Sequence, residues 1–86
     1  MTIITADDEP LALEMLTDLV KSVKPEAEVV SFSRPQKIIE WLKDNKADVA
    51  FLDIRMRGMT GLEVAEKIKE VHPETNIIFV TGYDEY

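Results

Sequence analysis

The hydrophobic positions along the chain form four short runs of five or six residues. Each run is rich in Ile, Val and Thr and carries apolar residues on both of its alternating faces, which is typical of a strand covered on both sides. A half-exposed strand would instead alternate between apolar and polar positions. The predicted strands are Thr2–Ala6, Glu28–Phe32, Asp48–Asp53 and Asn76–Thr81.

Between these runs, apolar residues recur at the spacing of amphipathic helices. The pattern predicts helices over Pro10–Val23, Pro35 to about Lys46, and Gly61–Val71, with Ser33 as the N-cap of the second. Their expected inward-facing residues are Ala12, Leu16, Leu19, Val20 and Val23, then Ile38, Ile39, Trp41 and Leu42, then Leu62, Ala65 and Ile68. The order βαβαβαβ predicts an α/β fold with a parallel sheet, right-handed crossovers and helices on both faces.

Length and charge narrow the range of functions. The 86 residues are enough for one domain, and they contain 17 acidic and 10 basic side chains, for a net charge of −7. Direct nucleic-acid binding by this segment is therefore not expected, because a phosphate backbone calls for a basic surface. The absence of cysteine from the sequence excludes a cysteine-ligated zinc site and weakly favours the cytoplasm. No signal peptide or membrane span is expected.

Polar residues follow three of the predicted strands. Asp7 and Asp8 come after the first strand, Asp53 ends the third, and Thr81 and Gly82 come at the end of the fourth. Ligands of open parallel sheets bind beyond the carboxyl ends of the strands, so these residues are expected to meet at one edge. Two carboxylates about 4 Å apart repel by about 4 kcal/mol at an effective dielectric constant of 20, and Mg²⁺ would remove that penalty. Asp53 is then a candidate nucleophile for phosphoryl transfer.

Each residue also has a purely structural interpretation. Asp8 could be a helix N-cap and Asp53 a turn former at a strand end. Thr81 and Gly82 could be only a turn, and His72 is expected to cap helix carbonyls rather than to bind metal. The site interpretation is favoured because the acids fall at the same end of the predicted sheet.

Three segments together resemble the receiver domain of two-component response regulators. They are "ADDEP" after the first strand, "FLDIRMRGMTG" after the third and "FVTGYDEY" after the fourth, and the closing "YDEY" is similar to the LytTR-type group. The resemblance implies a flavodoxin-like fold with strand order 2-1-3-4-5 and a histidine kinase as partner. It also implies an output domain in the parent chain, DNA-binding in the LytTR-type group.

The resemblance assigns a role to each candidate residue. It implies that Asp53 accepts a phosphoryl group from a kinase phosphohistidine and that the protein is not an enzyme in the turnover sense. It implies a Mg²⁺ site formed by Asp8, Asp53 and the backbone carbonyl of Arg55, with Asp7 bound through water. It also implies that the Thr81 hydroxyl contacts a phosphoryl oxygen and moves on activation, and that Gly82 leaves room near the phosphoryl group.

The chain departs from the family pattern at its end and in one loop. The family continues with a helix, a strand and a helix, and a lysine before that strand pairs with the phosphoryl group. Residues 1–86 are therefore expected to be the N-terminal part of a receiver domain, with impaired switching. The apolar edge "NIIFV" is expected to promote self-association. Arg57 replaces the usual proline and Thr60 is the expected N-cap of the third helix; neither change is expected to touch the metal or the phosphoacceptor.

Two other functions are considered. The chain could be an excised or engineered flavodoxin-like fragment with a structural or self-assembly role and no signalling activity. It could instead be a Mg²⁺-dependent phosphatase with an aspartyl nucleophile, which is disfavoured because "DIR" lacks the second acid that such enzymes place two residues after the nucleophile.

Overall fold

The computed structural model describes residues 1–80 and contains four strands and three helices. The predicted order of elements is confirmed. The elements are β1 Thr2–Ala6, α1 Pro10–Val23, β2 Glu28–Phe32, α2 Pro35–Leu42, β3 Val49–Asp53, α3 Gly61–Val71 and β4 Asn76–Val80.

All four strands are parallel and their order across the sheet is β2-β1-β3-β4. Neighbouring strands are well aligned, since Ala6 of β1 lies opposite both Phe32 of β2 and Leu52 of β3. The chain leaves β1 toward β2 on one side and later crosses to β3 on the other. The carboxyl ends of β1 and β3 therefore form the topological switch point of the sheet, as in the flavodoxin-like folds.

The two faces of the sheet are covered unequally. α2 packs beside α3 on one face, where the main core lies, whereas α1 packs against β1 and β2. On the α1 side, the hydroxyls of Thr5 and Thr17 meet at 2.8 Å, so these two buried polar groups satisfy each other. The fully buried members of the main core are Ile4, Ala6, Ile38, Ala50, Leu52, Val64 and Ile68.

The predictions of inward-facing residues are partly wrong for α1 and α3. Leu19 and Val23 of α1 are 61% and 66% exposed, and Leu62 of α3 is 56% exposed. In the described residues no second helix lies beside α1, so only its sheet-facing residues such as Val20 are buried. In α3 the inward position belongs to Val64 rather than to Leu62.

The second helix ends at Leu42, earlier than predicted. The Asn45 side chain donates a hydrogen bond to the Trp41 carbonyl at 2.9 Å, and Nε2 of His72 lies 3.3 Å from the Leu42 carbonyl. These contacts satisfy the last carbonyls without another helical turn. Ser33 is not the N-cap; that position is Arg34, without a side-chain cap, and the proline after it has no N–H that needs a partner.

No helix within residues 1–80 is both long and apolar enough to cross a bilayer.

Candidate functional site

Three carboxylates meet at the carboxyl edge of the sheet. Asp7 and Asp8 follow β1, and Asp53 is the last residue of the neighbouring strand β3. Each of the three offers a carboxylate oxygen, and these oxygens all lie within 4.8 Å of one another. The sheet topology thus brings Asp8 close to Asp53, although the two are 45 positions apart in the sequence. We call Asp7, Asp8 and Asp53 the acidic triad.

The turn after β1 fixes the first two acids. The backbone N–H of Asp7 donates to the Phe32 carbonyl at 3.2 Å, which extends the pairing with β2 by one residue. Its carboxylate Oδ1 accepts from the Glu9 N–H at 2.9 Å. The N-cap of α1 is Glu9, so Asp8 is not the helix cap and its carboxylate is directed toward the β3–α3 loop, where Arg57 contacts it.

Asp53 is held by the end of β3 and by a tight start to α3. Its Oδ1 accepts a long hydrogen bond, 3.4 Å, from the Arg55 N–H. The Gly61 N–H donates to the Ile54 carbonyl at 2.7 Å, and a Cβ on Gly61 would lie only 2.2 Å from the Asp53 carbonyl oxygen. Glycine at position 61 therefore allows the helix to start directly against the strand end. Gly58 in the same loop has φ +92°, a conformation that other residues rarely adopt.

The first turn of α3 carries a complete capping box. The Glu63 N–H donates to the Thr60 hydroxyl at 3.2 Å, and the Glu63 carboxylate accepts from the Thr60 N–H at 2.9 Å. The predicted cap at Thr60 is confirmed. Such a reciprocal pair gives hydrogen-bond partners to two backbone N–H groups that have none within the helix, and it fixes the end of the β3–α3 loop.

The triad perturbs its own ionisation. Burial raises the pKa of Asp53 above its ordinary value of 3.8, and the negative charges of Asp7 and Asp8 raise it further. The hydrogen bond from the Arg55 N–H opposes this effect on the pKa of Asp53. The shift is upward because loss of solvent and nearby negative charge both disfavour the ionised form of the Asp53 carboxyl group.

One contact contradicts the sequence-based expectation for the loop. Arg57 was expected to touch neither the metal nor the phosphoacceptor, but it contacts Asp8, one of the predicted metal ligands. Its backbone N–H and its side-chain Nε–H both donate to Oδ2 of Asp8, at 3.0 and 3.1 Å. The sequence analysis treated Arg57 only as a replacement for the family's usual proline. The signal that could have indicated the contact was charge. Arg57 follows Asp53 by only four residues, and three acids were predicted to meet at that edge of the sheet.

The roles of the remaining predicted residues stay predictions. Arg55 lies in the loop after Asp53, and the role of its backbone carbonyl stays a prediction. Thr81 and Gly82 lie outside the described residues, so their placement also stays a prediction.

The donor set of the acidic triad suits a hard divalent cation. All the candidate ligand atoms are carboxylate oxygens within 4.8 Å of one another, so a cation held between them would offset their mutual repulsion. Oxygen-only ligands with room for water are the usual environment of Mg²⁺. The residues present therefore fit a Mg²⁺ site.

A parallel sheet of this strand order with an acidic cluster at its switch point defines the architecture of a receiver domain. The family described as "Response regulator receiver domain" matches residues 3–86, and the chain belongs to that family.

Known relatives agree with this assignment. The chain is 37% identical over 86 residues to an uncharacterised response regulatory protein of Vibrio cholerae, covering 99% of this chain and 33% of the relative. It is 30% identical over 86 residues to the sensory transduction protein LytT of Bacillus subtilis, covering all of this chain and 36% of LytT. The chain thus spans about a third of the length of these relatives.

Solved structures show the same fold. The response regulator TrrA of Thermotoga maritima, in a crystal structure with Mg²⁺ and BeF, has a TM-score of 0.83 and 29% identity, and the match covers 99% of this chain and 72% of TrrA. The same protein in complex with the histidine kinase ThkA gives a TM-score of 0.81 with the same coverage. The flavodoxin-like fold expected from the sequence is confirmed for the four strands and three helices that residues 1–80 form.

Proposed function

We propose that this chain is a phosphoacceptor and that Asp53 takes a phosphoryl group from the phosphohistidine of a histidine kinase. The convergence of the acidic triad within 4.8 Å is the observation that carries this proposal. Asp53 ends a central strand, and its carboxylate is only half-buried, so an incoming phosphoryl donor can reach it.

The phosphoryl transfer needs only the kinase phosphohistidine and the Asp53 carboxylate as reactants. A carboxylate oxygen of Asp53 attacks the phosphorus in line, the P–N bond of the phosphohistidine breaks, and its electron pair leaves with the imidazole nitrogen. The product is an acyl phosphate on Asp53 and a free kinase histidine. Because Asp53 is consumed in each transfer, the chain is a substrate that contributes its own nucleophile and does not turn over as an enzyme.

Mg²⁺ is the proposed cofactor. Asp8, Asp53 and the backbone carbonyl of Arg55 would hold it, with Asp7 bound through water. When bound, the ion would neutralise the carboxylates and the phosphoryl oxygens during transfer. We also propose that the Thr81 hydroxyl contacts a phosphoryl oxygen and that Gly82 leaves space beside it.

The Thermotoga maritima relative supports the cofactor and the partner. That protein has been solved with Mg²⁺ and BeF and with its histidine kinase ThkA. It shares 29% identity and nearly the whole described fold with this chain. A histidine kinase partner is accordingly proposed here. A cytoplasmic location is also proposed, in keeping with a sequence that contains no cysteine.

Residues 1–86 are proposed to be the N-terminal part of a receiver domain within a longer regulator. The relatives are about three times as long as this chain, which supports an output domain in the parent protein. A DNA-binding output domain is proposed because the closing "YDEY" resembles the LytTR-type group. This segment itself is proposed not to bind nucleic acid, because its net charge is −7.

A beryllofluoride titration tests the phosphoacceptor role. Beryllofluoride and Mg²⁺ are added to the labelled protein, and amide chemical shifts are followed around Asp53 and in the turn after β1. Saturable shifts that disappear in Asp53→Asn support the proposal. Shifts that appear only in a version extended by the family's remaining helix, strand and helix would instead favour a structural fragment without signalling activity. Steady release of phosphate from a phosphomonoester would favour the phosphatase.

We also propose that a second copy of this chain pairs with the edge of β4. No strand within residues 1–80 pairs with the outer side of β4, and Ile78 and Phe79 on it are 44% and 39% exposed. An unpaired apolar edge is a template for strand pairing. Sedimentation velocity at micromolar concentration should show a dimer that Ile78→Lys weakens. A stable folded monomer of the unsubstituted chain would contradict the proposal.

A further inference from the structure

The contact between Arg57 and Asp8 supplies a positive charge at the proposed metal site. Two N–H donors of one residue, the backbone N–H and Nε–H, converge on a single oxygen, Oδ2 of Asp8. The Asp8 side chain is only 17% exposed, whereas the Arg57 side chain is 85% exposed. The carboxylate is therefore held in place, while the guanidinium extends into solvent from it.

Charge balance explains why the guanidinium lies there. Within residues 1–80, the Arg57–Asp8 contact is the only ion pair that involves the acidic triad. It sets one positive charge against three carboxylates that lie within 4.8 Å of one another. In the absence of another cation, this pairing lowers the repulsion within the triad.

The same contact conflicts with the proposed binding of Mg²⁺. A cation held by Asp8 would have to use Oδ1 or displace Arg57 from Oδ2, because Oδ2 already accepts two hydrogen bonds from Arg57. The guanidinium would also repel a nearby divalent cation. Since the side chain is mostly exposed, it can leave Asp8 for water, and exposed ion pairs of this kind change an equilibrium constant by only about fivefold or less.

We propose that Arg57 is a displaceable counter-ion that competes with Mg²⁺ for Asp8 and so lowers the metal affinity of the site. This inference rests on the proposed function, because it concerns the regulation of the same site. The backbone N–H of Arg57 stays with the loop and orients Asp8 in both states. The side chain is the competing part: it leaves Asp8 when the divalent cation binds.

The matched substitution is Arg57→Gln, which removes the charge and keeps a polar side chain of similar length. The control is Lys46→Gln, which changes the net charge equally but lies before β3, at the opposite end of the strand that Asp53 terminates. Five residues of strand separate the two ends by roughly 16 Å, beyond the screening length of about 8 Å at 0.15 M salt. Both side chains are exposed, so both variants should fold, which thermal unfolding checks directly.

Calorimetric titration with MgCl₂ at 0.15 M salt measures the effect. Arg57→Gln should bind Mg²⁺ about two- to fivefold more tightly than the unsubstituted protein, because both competition and repulsion are removed. Lys46→Gln should bind as the unsubstituted protein does. In a parallel NMR titration, the Nε–Hε resonance of Arg57 should shift as Mg²⁺ saturates the site, which would report the release of Asp8 independently of affinity.

The outcomes separate this inference from the proposed function. If Mg²⁺ binds and the binding is lost in Asp8→Asn, but Arg57→Gln binds equally or more weakly, the counter-ion inference is wrong and the phosphoacceptor proposal stands. An unchanged Arg57 Nε–Hε resonance at saturation would also overturn the inference. If no variant binds Mg²⁺, both proposals fail. Binding seen only in Arg57→Gln would support the inference most strongly.

Discussion

Replacing Asp53 by Asn should stabilise this protein at neutral pH in the absence of Mg²⁺. The substitution keeps the size of the side chain and removes one of three negative charges whose oxygens lie within 4.8 Å of one another. At that separation, each pair of carboxylates repels by about 1 kcal/mol in water and by about 3.5 kcal/mol at an effective dielectric constant of 20. Asp53 is half-buried and Asp8 is partly neutralised by Arg57, so the net gain should be about 1–2 kcal/mol in the free energy of unfolding.

The pH dependence of this gain follows from the raised pKa of Asp53. A carboxyl group whose pKa is higher in the folded protein than in the unfolded chain favours folding most below its unfolded pKa. That contribution is lost as the pH rises through the folded pKa. The advantage of Asp53→Asn should therefore be full at pH 7, should shrink as the pH falls through the folded pKa, and should be lost below the unfolded pKa of about 3.9.

Urea unfolding followed by the fluorescence of Trp41 measures the effect, since Trp41 is the only tryptophan and packs edge-on against Phe32. The control is Asp44→Asn, at an exposed aspartate in the turn after α2, which should change stability by less than about 0.5 kcal/mol. Saturating Mg²⁺ should stabilise the unsubstituted protein more than Asp53→Asn and so reduce the difference. A variant that is less stable at pH 7, or a gain that does not change between pH 7 and pH 4, would refute the electrostatic reasoning.

Further substitutions test the start of α3 and the assigned core. Thr60→Ala removes the N-cap of α3 and should lower the free energy of unfolding by about 1 kcal/mol, with Thr60→Ser retaining most of the stability. Gly61→Ala places a Cβ 2.2 Å from the Asp53 carbonyl oxygen and should lower the free energy of unfolding by about 1–3 kcal/mol. The amide chemical shift of Asp53 should change as well. A variant as stable as the unsubstituted protein would contradict the close approach. Leu52→Ala, in the fully buried core, should lower the free energy of unfolding by about 2–5 kcal/mol. Leu19→Ala, at a position that is 61% exposed, should lower it by less than about 1 kcal/mol. Equal losses of stability in urea unfolding would contradict the assigned core.

The sequence alone was enough to predict the elements and their order. Strands and helices have different hydrophobic periods, and the period is a local property of a few neighbouring residues. Their alternation restricts the sheet to parallel strands, and a parallel sheet gathers the ends of its strands at one edge. The meeting of Asp7 and Asp8 with Asp53 could therefore be predicted before any coordinates were known, and the structure brings the three side chains together.

The tertiary structure alone decided which apolar residues are covered and which charges touch. Leu19 and Leu62 have the helical spacing of core residues, but each needs a neighbouring element to cover it, and none among residues 1–80 does. Arg57 and Asp8 are 49 positions apart, so their contact depends on the path of the β3–α3 loop across the end of β1. Periodicity carries no information about that path, because a loop's course is set by its turn glycine and its anchoring contacts rather than by a repeating pattern.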